Sequence, residues 1–130
     1  MIRWICKSFD QLNTRELYQI LALRQVVFVV EQYCPYLDLD NKDLLCFHLM
    51  ALNEDNKLIA YSRLIPRGIA YPNATSIGRI ASDPENRGSG IGRKLLEASI
   101  EQMESLFGET TIRIGAQCYL EGFYNKFNFR

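Results

Sequence analysis

At 130 residues the chain is long enough for one domain, and two would each fall near the lower limit for an independent core. Its 48% apolar and 23% charged residues fit a globular domain of ordinary composition. Fifteen basic side chains balance fifteen acidic ones, so no bulk field draws the chain to nucleic acid or to an anionic membrane, although a local basic patch would escape that sum.

Residues 2–9 (IRWICKSF) alternate loosely and are rich in β-formers, which predicts a strand. Asn13 followed by Glu16 has the spacing of a capping box and opens a helix at Thr14. Leu17, Ile20, Leu21, Arg24, Val27 and Phe28 continue that helix at 3.6-residue spacing, with Arg24 the polar exception. The β-branched run at residues 26–30 stays in the same register. Residues 34–43 (CPYLDLDNKD) form a turn-rich, acidic loop. Strands at 46–53 and 58–66, joined by a short polar turn, predict an antiparallel hairpin. A loop with Gly68 and Pro72 leads to a strand at residues 75–82. Beyond a glycine-rich turn, Ile91, Leu95, Leu96, Ile100, Met103, Leu106 and Phe107 make the apolar face of a second helix, which Gly108 ends. Residues 111–116 predict a buried strand, and residues 119–126 a short helix with Leu120, Phe123, Tyr124 and Phe127 on one face. The order β-α-β-β-β-α-β-α gives an α/β class, a mixed sheet covered by helices, in one domain spanning residues 1–130.

The longest apolar run is too short to span a bilayer, which needs about 20 apolar residues. The N-terminal stretch lacks the uninterrupted apolar core of a signal peptide. Cys6, Cys34, Cys46 and Cys118 lie far apart with no CxxC pair, which suits reduced thiols in a cytoplasmic protein. With a single histidine, His48, no metal site is expected.

The most informative segment is SIGRIASDPENRGSGIGRKLL, residues 76–96, where a strand enters a glycine-rich turn that becomes a helix. Helix N-termini carry unpaired N–H groups and partial positive charge, so they attract anions. Gly88, Gly90 and Gly92 let the backbone curl around a phosphate, and Arg87, Arg93 and Lys94 add charge. A tight turn whose glycines only solve a packing problem is the competing reading. A Walker A loop needs GxxxxGK then Ser or Thr, but here Gly88 is followed five residues later by Arg93. A dinucleotide fingerprint fails at the same Arg93, where its third glycine belongs.

What fits is R-x-x-G-x-G, with Arg87, Gly90 and Gly92 in place, and here the sequence resembles the GNAT superfamily of acetyl-CoA-dependent N-acyltransferases. Residues 117–129 (QCYLEGFYNKFNF) resemble that family's second signature, with Asn128 in place of its usual glycine. The N-terminal half is similar to the ElaA-type subfamily in LRQVVFVVEQ (residues 23–32), CPYLDLD (34–40), His48-Leu49, AYSRL (60–64) and IGR (77–79). The resemblance implies a mostly antiparallel mixed sheet with helices on both faces and a splayed central strand pair. Relatives continue past the FNF-type turn with two further strands, so the last strands are expected to be missing from this chain.

The same resemblance implies direct transfer of an acetyl group from acetyl-CoA to an amine, without an acyl-enzyme. It assigns Ile80, Ala81 and Ser82 to the pantetheine arm, Arg87, Gly88, Ser89, Gly90, Ile91, Gly92 and Arg93 to the pyrophosphate, and Gln117 to the cofactor or a water near it. Tyr124 is the acid the resemblance implies for the leaving thiolate, although by spacing alone it reads as a core aromatic beside Phe123 and Phe127. His48 and Glu31 are candidate bases, the first also readable as a structural strand histidine, the second as a capping or solvated charge. Arg63 and Arg79 sit inside apolar strands, where they either pair with carboxylates such as Glu31, Asp38 or Asp40 or line the acceptor pocket, pairing being the expectation. Asp38, Asp40 and Asp43 read either as a solvated acidic loop or as an attraction for a cationic amine. The expected partners are a small-molecule or peptide amine and a second copy in a homodimer. A non-catalytic acyl-CoA-binding or sensing domain is the alternative function, and a nucleotide-binding phosphate site is a third.

Overall fold

A computed structural model describes residues 2–31, 40–70, 72, 74–86, 88, 90–108 and 112–114, and only the backbone of 29–31 and 112–114. The expected elements fall close to their predicted bounds. Strand β1 is Arg3–Ser8, and helix α1, Thr14–Arg24, is followed without a break by a π-helical segment, Gln25–Glu31. Strands β2 (Phe47–Leu52), β3 (Leu58–Ile65) and β4 (Thr75–Ser82) come next. Helix α2 is Ile91–Phe107 and strand β5 is Ile112–Ile114. The predicted helix at 119–126 lies outside the described residues. No described helix is long and apolar enough to cross a membrane.

The local signals act as their chemistry requires. Asn13 Oδ1 accepts from the Glu16 N–H at 2.7 Å while Glu16 Oε1 accepts from the Asn13 N–H at 3.0 Å, closing the capping box. Gly108 ends α2 at φ 63°, its N–H donating to the Glu104 carbonyl. The helical register through residues 26–30 holds, but it widens to a π-turn. Such widenings appear mostly as single turns and often at functional sites.

The sheet runs β1-β2-β3-β4-β5, antiparallel except for the parallel pair β4–β5. Alternation along the strands divides the core between two faces. Leu49, Ala51, Leu64, Ile77 and Ile80 pack under Ile91, Leu95, Leu96 and Met103 of α2. Met50, Leu52, Tyr61 and Ala81 pack under Ile20 and Leu23 of α1 and Val27 and Phe28 of the π-segment. Helices therefore cover both faces, as expected.

Besides a register shift between β2 and β3 at Ala51/Leu52, a second irregularity breaks the alternation. Between the pairs Arg63↔Gly78 and Tyr61↔Ala81, β3 has one residue, Ser62, whereas β4 has two, Arg79 and Ile80. This is a β-bulge, and Arg79 takes the left-handed φ of 49° within it. The extra residue lets Ile77 and Ile80, three apart, share the α2 core.

Candidate functional site

Strand β4 leads directly into the glycine-rich turn. The Asp83 N–H donates to the Ile59 carbonyl at 2.8 Å, extending the β3–β4 ladder one step past the strand. The Asp83 side chain then accepts from the Glu85 N–H at 3.0 Å and pairs with Lys57 at 3.2 Å, fixing the start of a 3-10 turn, Pro84–Asn86. Gly88 and Gly90 follow with φ of 91° and 82°, a region that L-residues with a side chain enter only under strain. A Cβ at either would meet no heavy atom within 4 Å, so conformation rather than crowding requires glycine, and the bare backbone faces open space.

Gly90 is also the N-cap of α2, and as a glycine it has no side chain with which to cap that helix. The helical ladder begins with the Lys94 N–H on the Gly90 carbonyl at 3.2 Å, and the regular i−4 ladder does not reach the amides ahead of that point. The first turn contains no acidic residue, and Arg93 and Lys94 are exposed on it. The helix-start amides, the helix dipole and the basic side chains together can attract an anion. Ile91 is buried in the core and anchors this end of the helix, while Gly92 is half-buried. Arg87 and Ser89 of the predicted set lie outside the described residues.

Upstream, the described pairing of β4 with β5 runs from Thr75 to Ile77. Beyond it, Ala81 and Ser82 pair with Tyr61 and Ala60 of β3 on the other side, and Ile80 stands in the bulge. Beside this end of the strand, a cavity of about 300 Å³ opens between α1 and the turn, walled by Tyr18, Ala22, Val26, Leu58 and Pro84.

The second constellation lies under α1 and joins five elements. Arg24, fully buried, donates to Asp43 Oδ1 at 2.8 Å, and Arg63 donates to the same oxygen at 3.0 Å. Arg63 also forms a two-pronged pair with Asp40, at 2.9 and 3.0 Å, and Arg79 Nη2 lies 3.5 Å from Asp40 Oδ2. The expectation that Arg63 and Arg79 pair with carboxylates holds. The reading of Asp40 and Asp43 as an attraction for a free amine does not, because these two carboxylates are committed to arginines. Burial works to raise the Asp40 pKa, but the Arg63 and Lys42 hydrogen bonds and the charges of Arg63 and Arg79 outweigh it and hold it at about 2. Burial acts the same way on Asp43, and Arg24 and Arg63 outweigh it, so its carboxyl is held below the ordinary range.

His48 is part of this cluster and is 1% exposed. Its Nε2 lies 3.0 Å from the Asp43 carbonyl oxygen, which can only accept, so Nε2 carries the proton. Nδ1 is then the acceptor for the Tyr61 hydroxyl at 2.6 Å. Burial pushes the ring's pKa below its ordinary value, against a weaker opposing pull from Asp43. Both nitrogens are occupied and the ring is neutral. Cys46 Sγ donates to the Lys42 carbonyl at 3.0 Å, and burial pushes its thiol up to about 11, which makes it an inert core thiol.

Of the other predicted residues, Glu31 ends the π-segment, with only its backbone described, and Gln117 and Tyr124 lie outside the described residues. The bulge at Arg79 and the Tyr61–His48 pair were not foreseen. The only signal in the sequence was an arginine between two isoleucines, Ile77-Gly-Arg-Ile80, where strict alternation would place Arg79 in the apolar core.

Comparison with known proteins agrees with this geometry. The sequence profile of the Acetyltransferase (GNAT) family matches residues 8–129. A UPF0039 protein of Schizosaccharomyces pombe is 39% identical over 99% of this chain and 85% of its own length. The crystal structure of an acyl-CoA N-acyltransferase from Pseudomonas aeruginosa superposes with a TM-score of 0.87 at 37% identity, covering 98% of this chain and 88% of that one. That of Escherichia coli ElaA gives the same TM-score at 33% identity, covering 98% and 86%. With its mixed sheet, its two-sided helical cover and its glycine turn at the head of α2, the chain belongs to the acetyltransferase (GNAT) family, on its ElaA-like branch.

Proposed function

We propose that the protein is an acetyl-CoA-dependent N-acetyltransferase acting on an amine. The observation that carries this reading is the left-handed pair Gly88 and Gly90 at the N-terminus of α2, whose first turn holds no acidic residue, which suits a polyanionic cosubstrate. The family's general use of acetyl-CoA supports the same choice. Amides of the turn and Arg87 and Arg93 hold the pyrophosphate, and the backbone of Ile80, Ala81 and Ser82, with Gln117, receives the pantetheine arm.

The amine nitrogen attacks the thioester carbonyl, the C–N bond forms, and the C–S bond breaks as the tetrahedral intermediate collapses. A backbone N–H of the β4 bulge stabilises the oxyanion, in the manner of preorganised amide donors elsewhere. Tyr124 supplies the proton to the departing thiolate. Glu31, at the end of the π-segment, is the better candidate for taking the amine proton, because His48 has no free nitrogen and no exposure. His48 instead braces the arginine–carboxylate cluster.

Titration calorimetry tests the cosubstrate: acetyl-CoA binds, and ATP and NAD do not. Comparable binding of ATP or NAD would favour the nucleotide reading. Tyr124→Phe removes only a hydroxyl. It is expected to lower kcat by roughly 10²-fold or more while leaving the Kd for acetyl-CoA in place. An unchanged kcat would remove Tyr124 from the acid role.

A further inference from the structure

We infer that Asp40 is a positioning residue, holding the left-handed bulge of β4 by tying Arg79 to Arg63 across it. The alternation of the sheet frames the choice. Ile77 faces the α2 core, and in a regular strand the residue two further on, Arg79, would follow it there. A guanidinium in that apolar layer would be buried without partners, which is strongly disfavoured. In the bulge, Ile80 takes the core position and the Arg79 guanidinium reaches Asp40 on the α1 side. A non-glycine residue at φ 49° is strained, and such strain persists only where the surroundings over-determine it. Asp40 supplies that determination. Its two oxygens bind Arg63 on β3, directly across from Gly78, and its Oδ2 also faces Arg79 on β4. Arg63 is itself fixed by Asp43, which Arg24 of α1 holds. The clamp thus runs from α1 through two carboxylates to the one irregular point of β4. At the neighbouring Gly78 a Cβ would make ordinary van der Waals contact, 3.4 Å from Ile65 Cδ1 and 4.0 Å from Arg63 Nη2.

The bulge comprises Arg79 and Ile80 and immediately precedes Ala81, so it sets which amides β4 turns away from β3. The link from the clamp to reaction rate rests on the acyl-transfer reading above. The clamp itself does not, and the two are measured separately. The φ of residue 79 is read by NMR from its three-bond HN–Hα coupling in wild type, Asp40→Asn, Arg79→Ala and Arg79→Gly. Loss of the clamp is expected to shift residue 79 out of the left-handed region in Asp40→Asn and Arg79→Ala. Arg79→Gly, which adopts that region without strain, is expected to keep it. In kinetics, Asp40→Asn is expected to lose about 10-fold or more in kcat with little change in the acetyl-CoA Kd, because the glycine turn is untouched. Adding Arg79→Gly to Asp40→Asn is expected to recover most of that loss, and Arg79→Gly alone to exceed Arg79→Ala by about 10-fold. An unchanged coupling at residue 79 in Asp40→Asn would overturn the clamp. So would failure of Arg79→Gly to rescue the rate, since that would mean Asp40 acts on the acceptor or on stability alone. If Asp40→Asn does not fold, the contrast of Arg79→Ala with Arg79→Gly decides, equal couplings and rates again overturning it. Absence of turnover in wild type would count against the acyl-transfer reading, and the coupling constants would still decide the clamp.

Discussion

Replacing Gly90 by alanine separates backbone strain from anion binding, because the same chain contains a matched control. Gly90 and Gly108 flank α2, with φ of 82° and 63°, and a Cβ on either meets no heavy atom within 4 Å. Alanine in the left-handed region costs about 1–2 kcal/mol. Restricting the unfolded chain returns about 0.4–1 kcal/mol. The net loss is about 1 kcal/mol for either variant, or about 3–5 °C in Tm for a domain of this size. The two differ in what the new methyl group faces. At Gly108 it faces solvent beside the last turn, whereas at Gly90 it stands where a pyrophosphate would approach the amides of α2. Losing one charge-assisted hydrogen bond there costs about 1.5–3 kcal/mol, equivalent to roughly 10- to 100-fold in Kd. Gly90→Ala should therefore weaken acetyl-CoA binding in calorimetry by that factor, and Gly108→Ala should not, although both melt earlier by similar amounts. Equal affinities in the two variants would refute the anion cradle, and a Tm change confined to one would refute the strain argument.

Two further predictions concern the cluster under α1. The His48 ring, neutral and doubly hydrogen-bonded, should titrate by NMR below the ordinary value near 6.5; because its folded pKa is depressed, it withdraws stability as pH falls below that value. A ring that titrates at or above the ordinary value would contradict the assigned hydrogen bonds. Asp40, held at about 2, contributes stability above the ordinary aspartate value near 4 and loses it as pH falls between the two. Acid unfolding followed by Trp4 fluorescence should show that limb, and Asp40→Asn should flatten it; an unaltered limb would remove Asp40 as its source.

The sequence was most legible where local chemistry decides conformation. Asn13 and Glu16 marked the start of α1, Gly108 marked the end of α2, and the loop with Gly68 and Pro72 on one side and the glycine-rich turn on the other bounded β4 at Thr75 and Ser82. The glycine turn was readable for the same reason, since left-handed residues ahead of a helix leave few side-chain choices. Arg24 looked like a polar exception on an apolar helix face, but it is the buried centre of a network whose carboxylates come from a loop 16 to 19 residues later. Such a network depends on tertiary pairing, which no local pattern encodes. The same holds for His48, whose partners are a backbone carbonyl and a tyrosine from the next strand. The bulge at Arg79 left a faint trace, a charge at an inward position, but alternation alone cannot say whether the strand bends or the charge finds a partner inside.

The central claim is that the glycine turn delivers an acetyl thioester to an amine. It is tested most directly by following free thiol released from acetyl-CoA in the presence of a panel of amines, with the acetylated product identified by mass. Amine-dependent release, with one N-acetyl group gained per thiol freed and the rate reduced in Tyr124→Phe, is the predicted result. Tight binding of acetyl-CoA with no amine-dependent release across the panel would contradict it and leave a domain that senses acyl-CoA without consuming it.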